Sequence, residues 1–435
     1  MAWTDTITPD VTQIRKVHID ELRAAIVAKG LFPVGSTWTD DPIQSTSDPN
    51  PTIVRAIHFN EIYNLINDKY VSLGLTPTWT SDAWPIQSNE TMVRAVHVVD
   101  VRVNLDNLPE WKTITVDGCS TIYDIWMTSA SHGVLCADEY SSNHQVFFYT
   151  EDGGNTWTPA TYTPSGSEVL NGSNAIHPIG TMVFSSPSVT SGTPANGYYY
   201  FVTSSNSGHS YYKQNDHWEM TSNWGRRQDC WALNTNVIMF AQGTPTNYAA
   251  ILRSTDGGAN YSGCYGLQWV QFYKMWFPSS TNGVAVGNRE SGYNTGQYIN
   301  WVVRTVDGGA SWAQVTNIPT LSGTKIQATL SSVHFPSVNI GYCCSLNGHV
   351  FKTTDGGIHW SEIHFFNSSF YVNAIYFISD TVGFISVYPY IYKTIDGGAT
   401  WKKEFEGIGC VEMHSPDGIT LFGVGDNNKV YKRTI

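Results

Sequence analysis

Five near-copies of one eight-residue phrase constrain the fold of this chain more than any other feature. Each has the order Ser/Thr-x-Asp-Gly-Gly-x-x-Trp/Tyr, and they occupy residues 150–157, 254–261, 305–312, 353–360 and 394–401. Alternating aromatic and β-branched residues flank each copy, so each is expected to connect two strands of a hairpin. The Asp side chain can accept hydrogen bonds from turn amides, and the Gly pair adopts positive φ at little steric cost. The copies predict a repeat protein built from β-hairpins.

The phrase resembles the Asp box of sialidases, sortilin-type receptors, xyloglucanases and photosystem II assembly factors. In those families the motif closes the hairpin between the third and fourth strands of a β-propeller blade, away from the usual ligand face. The resemblance implies a propeller whose turns contain structural aspartates, namely Asp152, Asp256, Asp307, Asp355 and Asp396. These families share the turn and not a reaction, so the motif assigns no activity.

The number of blades follows from the weaker copies. A sixth, degenerate turn is predicted within residues 210–218, where Asp216 and Trp218 follow a strand-like run. The strand-like run 429–434 has no turn after it, and the run 111–116 has no turn before it, so their pairing would close a ring without an open edge. Residues 109–435 then form a seven-bladed β-propeller with roughly 47 residues per unit. The units are expected to begin near Trp111, Trp157, Trp218, Tyr261, Trp312, Trp360 and Trp401.

Residues 1–108 contain a second repeat, with a period of roughly 40 residues. Its three copies place Arg-x-x-His-x-x-Glu/Asp around His18, His58 and His97, with apolar residues at helical spacing. This pattern predicts a small α-helical domain of three amphipathic helices. The His-x-x-Glu spacing would suit a metal site, but we favour capping and interhelix hydrogen bonds because the third copy has Asp100 in place of Glu. No metal or other cofactor is predicted. The copies resemble repeats of bacterial surface and phage proteins, which implies a role in self-association or docking to a larger assembly.

The composition limits the partners. Charged residues make up 14% of the 435 residues, aromatic residues 13%, and the net charge is -12. Without a basic patch, nucleic acid is not an expected partner. No apolar run is long enough for membrane insertion, and the N-terminus lacks the pattern of a secretion signal. A polar surface with few charges is typical of extracellular or virion-associated proteins. The seven cysteines lack metal-ligand spacing, and buried thiols are favoured over disulfides.

If the Asp-Gly-Gly turns mark one face, the loops of the opposite face are the better place for a ligand, since loops on a rigid ring vary freely. Polar and aromatic side chains of these loops suit stacking on sugar rings or contact with a flexible peptide. The candidate ligand-binding residues are Glu139, Tyr140, His144, Arg226, Arg227, Asp229, Tyr248, Arg289, Glu290, Tyr293, Tyr298, His349, Tyr371 and Tyr388.

Catalysis has weaker support. Sialidase chemistry needs an arginine cluster, but Arg253, Arg304 and Arg433 lie in strands that approach the turns, and the Phe-Arg-Ile-Pro motif of that family is absent. A hydrolase of the xyloglucanase type needs two facing carboxylates, and it normally contains two propellers. The carboxylates to consider for this role are Glu139, Asp229, Glu290 and Glu406. No catalytic residue is predicted.

Three hypotheses follow. The favoured one is a non-catalytic binding head for glycan or a cell-surface component, anchored to a virion, tail or surface appendage by its N-terminal helices. The alternatives are a glycoside hydrolase and a structural subunit that polymerises through the N-terminal repeats.

Overall fold

The structure, a computed structural model, describes most of the chain. The residues described are 16–28, 56–72, 77, 79, 95–107, 111–140, 145–163, 169–171, 175–185, 188–190, 198–199, 202–213, 218–219, 227–242, 249–292, 295–367, 371–406, 409–425 and 427–434. The chain divides into a helical unit and a β unit, with the boundary between Glu110 and Trp111.

The helical unit contains three helices that contact one another. They span Lys16–Ala28, Ala56–Ser72 and Ala95–Asn107. Fully buried residues fall at the same three positions of each copy of the repeat, because all three helices turn the same stripe toward a common core. These residues are Ile19, Leu22 and Ile26 in the first copy, Phe59, Ile62 and Ile66 in the second, and Val98, Val101 and Leu105 in the third.

Ion pairs between helices involve the acids of the His-x-x-Glu copies. Arg102 Nη2 lies 2.8 Å from Glu21 Oε2, and Arg23 Nη2 lies 3.7 Å from Glu61 Oε2. The side chains of the three repeat histidines lie outside the described residues. In the part of the chain that the structure describes, no group of three or more His, Cys, Asp or Glu side chains is placed to hold a metal ion. No helix of that part is long and apolar enough to span a membrane.

The β unit is a ring of seven antiparallel four-stranded sheets, which we call blades 1 to 7 in chain order of their inner strands. The first, innermost strands are Cys119–Met127, Ile176–Ile179, Arg227–Ala232, Val270–Trp276, Leu330–His334, Val372–Phe377 and Cys410–His414. The second strands are Gly133–Glu139, Met182–Ser185, Ile238–Gln242, Gly283–Glu290, Gly341–Ser345, Gly383–Val387 and Thr420–Gly425. The third strands are Gln145–Thr150, Val202–Ser204, Ala249–Ser254, Tyr298–Thr305, His349–Thr353, Tyr390–Thr394 and Lys429–Thr434. The fourth strands are Thr158–Pro159, Ser210–Lys213, Ser262–Gly266, Ala313–Gln314, Ser361–Phe365, Lys402–Glu406 and Trp111–Thr115.

The first and last strands of the β unit pair with each other. Trp111–Thr115 runs antiparallel to Lys429–Thr434, with Trp111 opposite Arg433 and Thr115 opposite Lys429. Blade 7 therefore takes its outer strand from the start of the unit, which closes the ring. The predicted fold class, a seven-bladed propeller preceded by a small helical domain, is confirmed.

Blades 2 and 4 carry additions. Thr161–Thr163 pairs in parallel with the fourth strand of blade 2, and Ser322–Gly323 pairs with the third strand of blade 4. A short helix, Lys325–Ala328, lies in the link between blades 4 and 5. A separate small sheet is formed by segments that precede or interrupt blade 2 or follow it. In order, its strands are Trp218–Glu219, Tyr198–Tyr199, Ser188–Thr190 and Val169–Asn171.

The placement of the sixth turn at Asp216 is wrong. Ser210–Lys213 is the fourth strand of blade 2, so the turn must precede it. There, Asn206 Oδ1 accepts the Ser204 hydroxyl at 2.8 Å and the Ser210 N–H at 3.0 Å, and Ser204 Oγ accepts the Gly208 N–H at 3.0 Å. Asn in place of Asp, and Ser in place of the first Gly, hid this copy in the sequence.

The hydrophobic core is divided among the blade junctions. Within the described residues, seven clusters of buried side chains each join two neighbouring blades, including the seam between blades 7 and 1. Because each blade lies between two others, both faces of its central strands are covered; Gly341–Ser345 is buried throughout. Central strands therefore appear as continuous apolar runs rather than alternating ones.

The topology defines two faces of the ring. The first-to-second and third-to-fourth strand connections lie at one end, which we call the turn face. The second-to-third connections and the links between blades lie at the other end, which we call the open face. Each first strand starts at the open face and runs toward the turn face.

Candidate functional site

The Asp-Gly-Gly turns use their polar groups internally. Thr305 Oγ1 accepts the Gly309 N–H at 3.0 Å and donates to Asp307 Oδ1 at 2.8 Å, and the same carboxylate oxygen accepts the Ser311 N–H at 2.9 Å. The hydroxyl and amide of Ser311 lower the pKa of Asp307 to about 2. The carboxylate is thus committed to the turn, which is a structural duty.

Basic side chains of the third strands fasten three of the turns to the preceding blade. Arg253 Nε donates to Gly308 O at 3.1 Å, and Arg304 Nε donates to Gly356 O at 2.7 Å. At the seam, Lys432 Nζ donates to Gly153 O at 2.8 Å. Two arginines that the sequence analysis set apart from the ligand face are therefore bound at the turn face.

Four charged side chains from the first strands of blades 1, 3, 4 and 7 meet near the axis, and we call them the charge layer: Asp124, Asp229, Lys274 and Glu412. Lys274 Nζ lies 2.6 Å from Glu412 Oε2 and 3.6 Å from Asp229 Oδ1. The side chains of Lys274 and Glu412 retain 12% and 16% exposure, whereas Asp229 retains 4%. The layer is therefore almost closed to solvent.

Burial shapes the protonation of the charge layer. It raises the pKa of Asp124 well above its usual value, despite the opposing effect of Lys274. It also raises the pKa of Asp229 to about 6. Burial disfavours the charged form of Lys274, but the three neighbouring carboxylates outweigh it and hold the Lys274 pKa well above its usual value. One cation held among three acids explains the arrangement, since an unpaired buried charge is costly.

Every blade contributes one aromatic or imidazole ring from its first strand, and we call these seven residues the ring layer. In the four blades that contribute to the charge layer, the ring follows the charged residue by two positions. Neighbouring ring centroids lie 4.0 to 5.9 Å apart around the whole circle. In blade order, the ring layer consists of Trp126, His177, Trp231, Trp276, His334, Tyr376 and His414. It fills the axis on the turn-face side of the charge layer.

Both layers also bond across the blade junctions. Asp124 Oδ2 accepts the main-chain N–H of Ile176 at 2.8 Å, and Asp229 Oδ2 accepts that of Met275 at 2.6 Å. In the ring layer, His334 Nδ1 accepts the Phe377 N–H at 3.3 Å. These side chains satisfy inner-strand amides that have no ladder partner, which fixes neighbouring blades to each other.

Sequence analysis missed the two layers, although a signal was present. In each first strand, Trp, His or Tyr follows two positions after Asp, Lys, Glu, Ser or Ala. This pattern becomes visible only when the seven inner strands are aligned. Asp229 was expected on the rim with the other candidates, and it instead lies buried in the charge layer.

Three candidates meet at the open end of blade 4. Arg289 and Glu290 end its second strand, and Glu290 lies opposite Tyr298, which begins the third. The Arg289 guanidinium carbon lies 5.1 Å from the centroid of the Trp301 ring, and Glu290 Oε1 accepts the Gly296 N–H at 2.9 Å. Burial, and then Glu290, raise the pKa of Tyr298.

Two other candidates meet on blade 6. The N–H of Tyr388 donates to the carbonyl oxygen of Tyr371 at 2.9 Å, and the two side chains retain 56% and 50% exposure. Gly409 borders this pair: a Cβ added there would lie 2.7 Å from the Tyr388 ring. Glycine therefore lets the next link pass closely along the tyrosine.

The remaining described candidates lie singly on other blades. On blade 5, His349 Nδ1 is 3.0 Å from Glu362 Oε1, and its ring centroid is 4.6 Å from that of Phe365. On blade 1, Glu139 ends the second strand and Tyr140 follows it with 80% exposure. Other candidates fall outside the described residues, namely His144, Arg226, Tyr248, Tyr293 and the side chain of Arg227.

All seven cysteines lie in described segments, and none forms a disulfide. Burial raises the pKa of Cys264, the most exposed of them, to about 11, which keeps it protonated at neutral pH.

Comparison with known proteins supports the fold. No protein-family model matches the sequence, and no curated protein matches it. Among solved structures, YCF48 bound to a D1 peptide has a TM-score of 0.54 at 17% identity, over 75% of this chain and 97% of that one. YCF48 from Cyanidioschyzon merolae has a TM-score of 0.53 at 15% identity, over 74% of this chain and 98% of that one.

A glycoside hydrolase also shares the fold. The GH74 xyloglucanase from Xanthomonas campestris has a TM-score of 0.53 at 13% identity, over 75% of this chain and 54% of the xyloglucanase. At such identities these likenesses establish the propeller, which serves both binding proteins and hydrolases.

Proposed function

We propose that this protein is a non-catalytic binding protein whose open face recognises glycan on a cell surface. The observation that carries the proposal is the Tyr371–Tyr388 pair on blade 6, two half-exposed aromatic side chains joined through their main chains. Exposed tyrosines grouped on one rigid surface mark an interaction site more often than isolated ones do. Their flat rings suit the C–H faces of sugars, while their hydroxyls can bond sugar hydroxyls.

The charges of the inner strands support binding rather than catalysis. Both oxygens of Asp229 are engaged, one with the Met275 N–H and the other near Lys274. On blade 4, Glu290 accepts a hydrogen bond from its own loop. These carboxylates stabilise the ring and its loops, and the exposed tyrosines remain as the groups offered to a ligand.

The helical unit is proposed to dock the head onto a larger assembly, either a virion, a phage tail or a surface appendage. The protein would then act outside cells or as part of a virion. The supporting observation is the threefold repeat of the unit, whose copies bury equivalent residues and so form a separate module.

The test is a glycan array probed with the full-length protein, followed by measurement of reducing sugar released from every glycan that binds. Tyr371→Ala and Tyr388→Ala should each weaken binding about tenfold, the equivalent of one lost stacking contact. Ile395→Ala is the matched control, because it removes an exposed apolar side chain from the turn face. Equal losses in all three variants would contradict the assignment of the open face.

A glycoside hydrolase is the second candidate, because the GH74 xyloglucanase shares the propeller fold and the buried Asp229, with a pKa of about 6, is the carboxyl to test as an acid. If reducing sugar is released and Asp229→Asn abolishes the release, the hydrolase becomes the correct function and the non-catalytic binding protein is wrong. If no glycan binds and the full-length chain self-associates, the role of a structural subunit gains support instead.

A further inference from the structure

Arg289 is a partly buried cation on the open face of blade 4, without an anionic partner among the residues that the structure describes. Among the described residues, no carboxylate lies within 4.0 Å of its guanidinium, and its Nε atom is buried without a hydrogen-bond acceptor. A guanidinium that has lost part of its hydration and has no counter-charge favours an anion from outside. This is unlike Arg253 and Arg304, whose Nε atoms reach carbonyl oxygens.

Aromatic residues hold Arg289 in place. Its guanidinium carbon lies 5.1 Å from the Trp301 centroid, and Trp301 is itself fixed by an Nε1–H donated to Tyr265 Oη at 3.0 Å. Stacking on a buried indole restricts the side chain before any ligand arrives. The entropic cost of ordering it on binding is therefore reduced.

The link beside Arg289 is unusual. Trp269 adopts φ of 61°, a left-handed backbone conformation that is rare for a bulky residue, and its carbonyl oxygen accepts the Glu290 N–H at 3.0 Å. It directly precedes Val270, which lies opposite Arg289 in the sheet. The half-buried Trp269 therefore lies one position along the chain from the residue opposite Arg289.

We propose that Arg289 binds the carboxylate of an acidic sugar residue, and that Trp269 and Tyr265 border the sugar ring. The proposal rests on the glycan-binding function of the open face. The planar guanidinium fork matches a carboxylate, and the neighbouring aromatic residues suit a pyranose. The protein's net charge of -12 repels ligands of high charge density, which favours a sugar chain with isolated carboxylates over an acidic peptide.

Lys325 provides a matched control. It is a second cation at the open end of this region, exposed at the surface, with Nζ 6.0 Å from the centroid of the Tyr273 ring. Burial lowers its pKa, whereas the charge of Glu290 acts in the opposite direction. Lys325 thus has an acid of the protein nearby and is not expected to bind the ligand carboxylate.

The experiment is titration calorimetry of the full-length protein with glucuronic acid, its methyl ester and glucose. The acid should bind about tenfold more tightly than the ester or glucose, as expected for a charge-assisted hydrogen-bonded pair. Arg289→Met should remove this preference, Arg289→Lys should retain part of it, and Lys325→Met should leave it intact. Thermal unfolding of each variant checks that the fold persists.

The outcomes separate this subsite from the proposed function. If neutral glycans bind through Tyr371 and Tyr388 but the acid has no advantage over its ester, the carboxylate subsite is wrong and the binding head stands. Equal loss of acid preference in the Arg289 and Lys325 variants would also overturn the assignment. If no sugar binds and a peptide with a free C-terminal carboxylate does, both the sugar ligand and the glycan-binding function fail.

Discussion

His414 accepts the main-chain N–H of Met127 on its Nδ1 atom at 3.2 Å, across the seam between the last blade and the first. The acceptor must be unprotonated, so this bond exists only with a neutral imidazole. Burial lowers the pKa of His414 to about 3, and the charge of Lys274 adds to the effect. The seam of the propeller thus contains a hydrogen bond that protonation of His414 would break.

The first prediction concerns pH. The pKa of His414 in the folded state lies below its unfolded value of 6.5, so the unfolded chain binds the proton first as pH falls. The contribution of His414 to the free energy of unfolding should therefore decline from about pH 6.5 toward pH 3. His414→Gln keeps an acceptor but cannot titrate. The free energy of unfolding of this variant should therefore fall less steeply with decreasing pH, as measured by urea denaturation followed by tryptophan fluorescence.

The control for this measurement is His132→Gln, which replaces an exposed imidazole bonded to Ser131. It should keep the full pH dependence of the wild type. Two further buried imidazoles, His177 and His334, also have lowered pKa values through burial and the charges of Lys274 and His414. They should preserve part of the acid sensitivity in the His414 variant. If the free energy of unfolding depends on pH identically in wild type and His414→Gln, the proposed role of the His414 hydrogen bond at the seam is wrong.

The second prediction concerns the charge layer. Lys274→Met should lower the free energy of unfolding by about 3 to 5 kcal/mol, because it leaves buried acids without their cation. Adding Glu412→Gln should recover part of this loss. Lys112→Met, which removes an exposed lysine, is the control. Chemical denaturation at neutral pH measures all three, and a negligible effect of Lys274→Met would contradict the pairing.

The third prediction concerns the turns. Asp307→Ala should destabilise the protein by about 1 to 2 kcal/mol, the usual cost of losing a side-chain acceptor for turn amides. Asp307→Asn should cost less, because Asn206 makes the equivalent bonds in blade 2. Thermal unfolding distinguishes them, and glycan binding should be unchanged in both. An Asn variant as unstable as the Ala variant would show that the charge itself is required.

The fourth prediction separates backbone strain from packing. Gly309 and Gly418 have similar positive φ values, 79° and 69°. A Cβ at Gly309 would lie 2.2 Å from Met239 Sδ, whereas nothing lies within 4 Å of one at Gly418. Gly418→Ala should cost about 1 kcal/mol from strain alone, and Gly309→Ala about 1 to 3 kcal/mol more from overpacking. Equal costs in urea denaturation would be inconsistent with the tight contact.

The fifth prediction concerns the helical unit. Arg102 and Glu21 form a largely buried pair at 2.8 Å between the third and first helices. Arg102→Met and Glu21→Gln should each destabilise the unit, and their double variant should show a coupling of about 1 to 3 kcal/mol. Helix signal by circular dichroism measures it. Strict additivity of the two losses would show that the pair is not coupled.

The sequence by itself determined the ring. Five Asp-Gly-Gly turns, a sixth degenerate turn expected within residues 210–218 and one strand without a turn at each end together predicted seven blades of roughly 47 residues. This worked because turn chemistry is local: a carboxylate accepting neighbouring amides and a glycine at positive φ depend on a few adjacent residues. The same locality explains the error at blade 2, where Asn206 forms the turn with different letters.

Only the tertiary structure decided what lies at the axis and on the rim. Lys274 lies 45 residues after Asp229 and 138 residues before Glu412 along the chain. Nothing in the local sequence shows that this one lysine neutralises both acids. Likewise, Tyr371 and Tyr388 become a pair only because two links of blade 6 meet at the open face. Contacts between distant residues depend on ring closure, which brings all seven inner strands to one axis. Local sequence patterns do not predict these contacts.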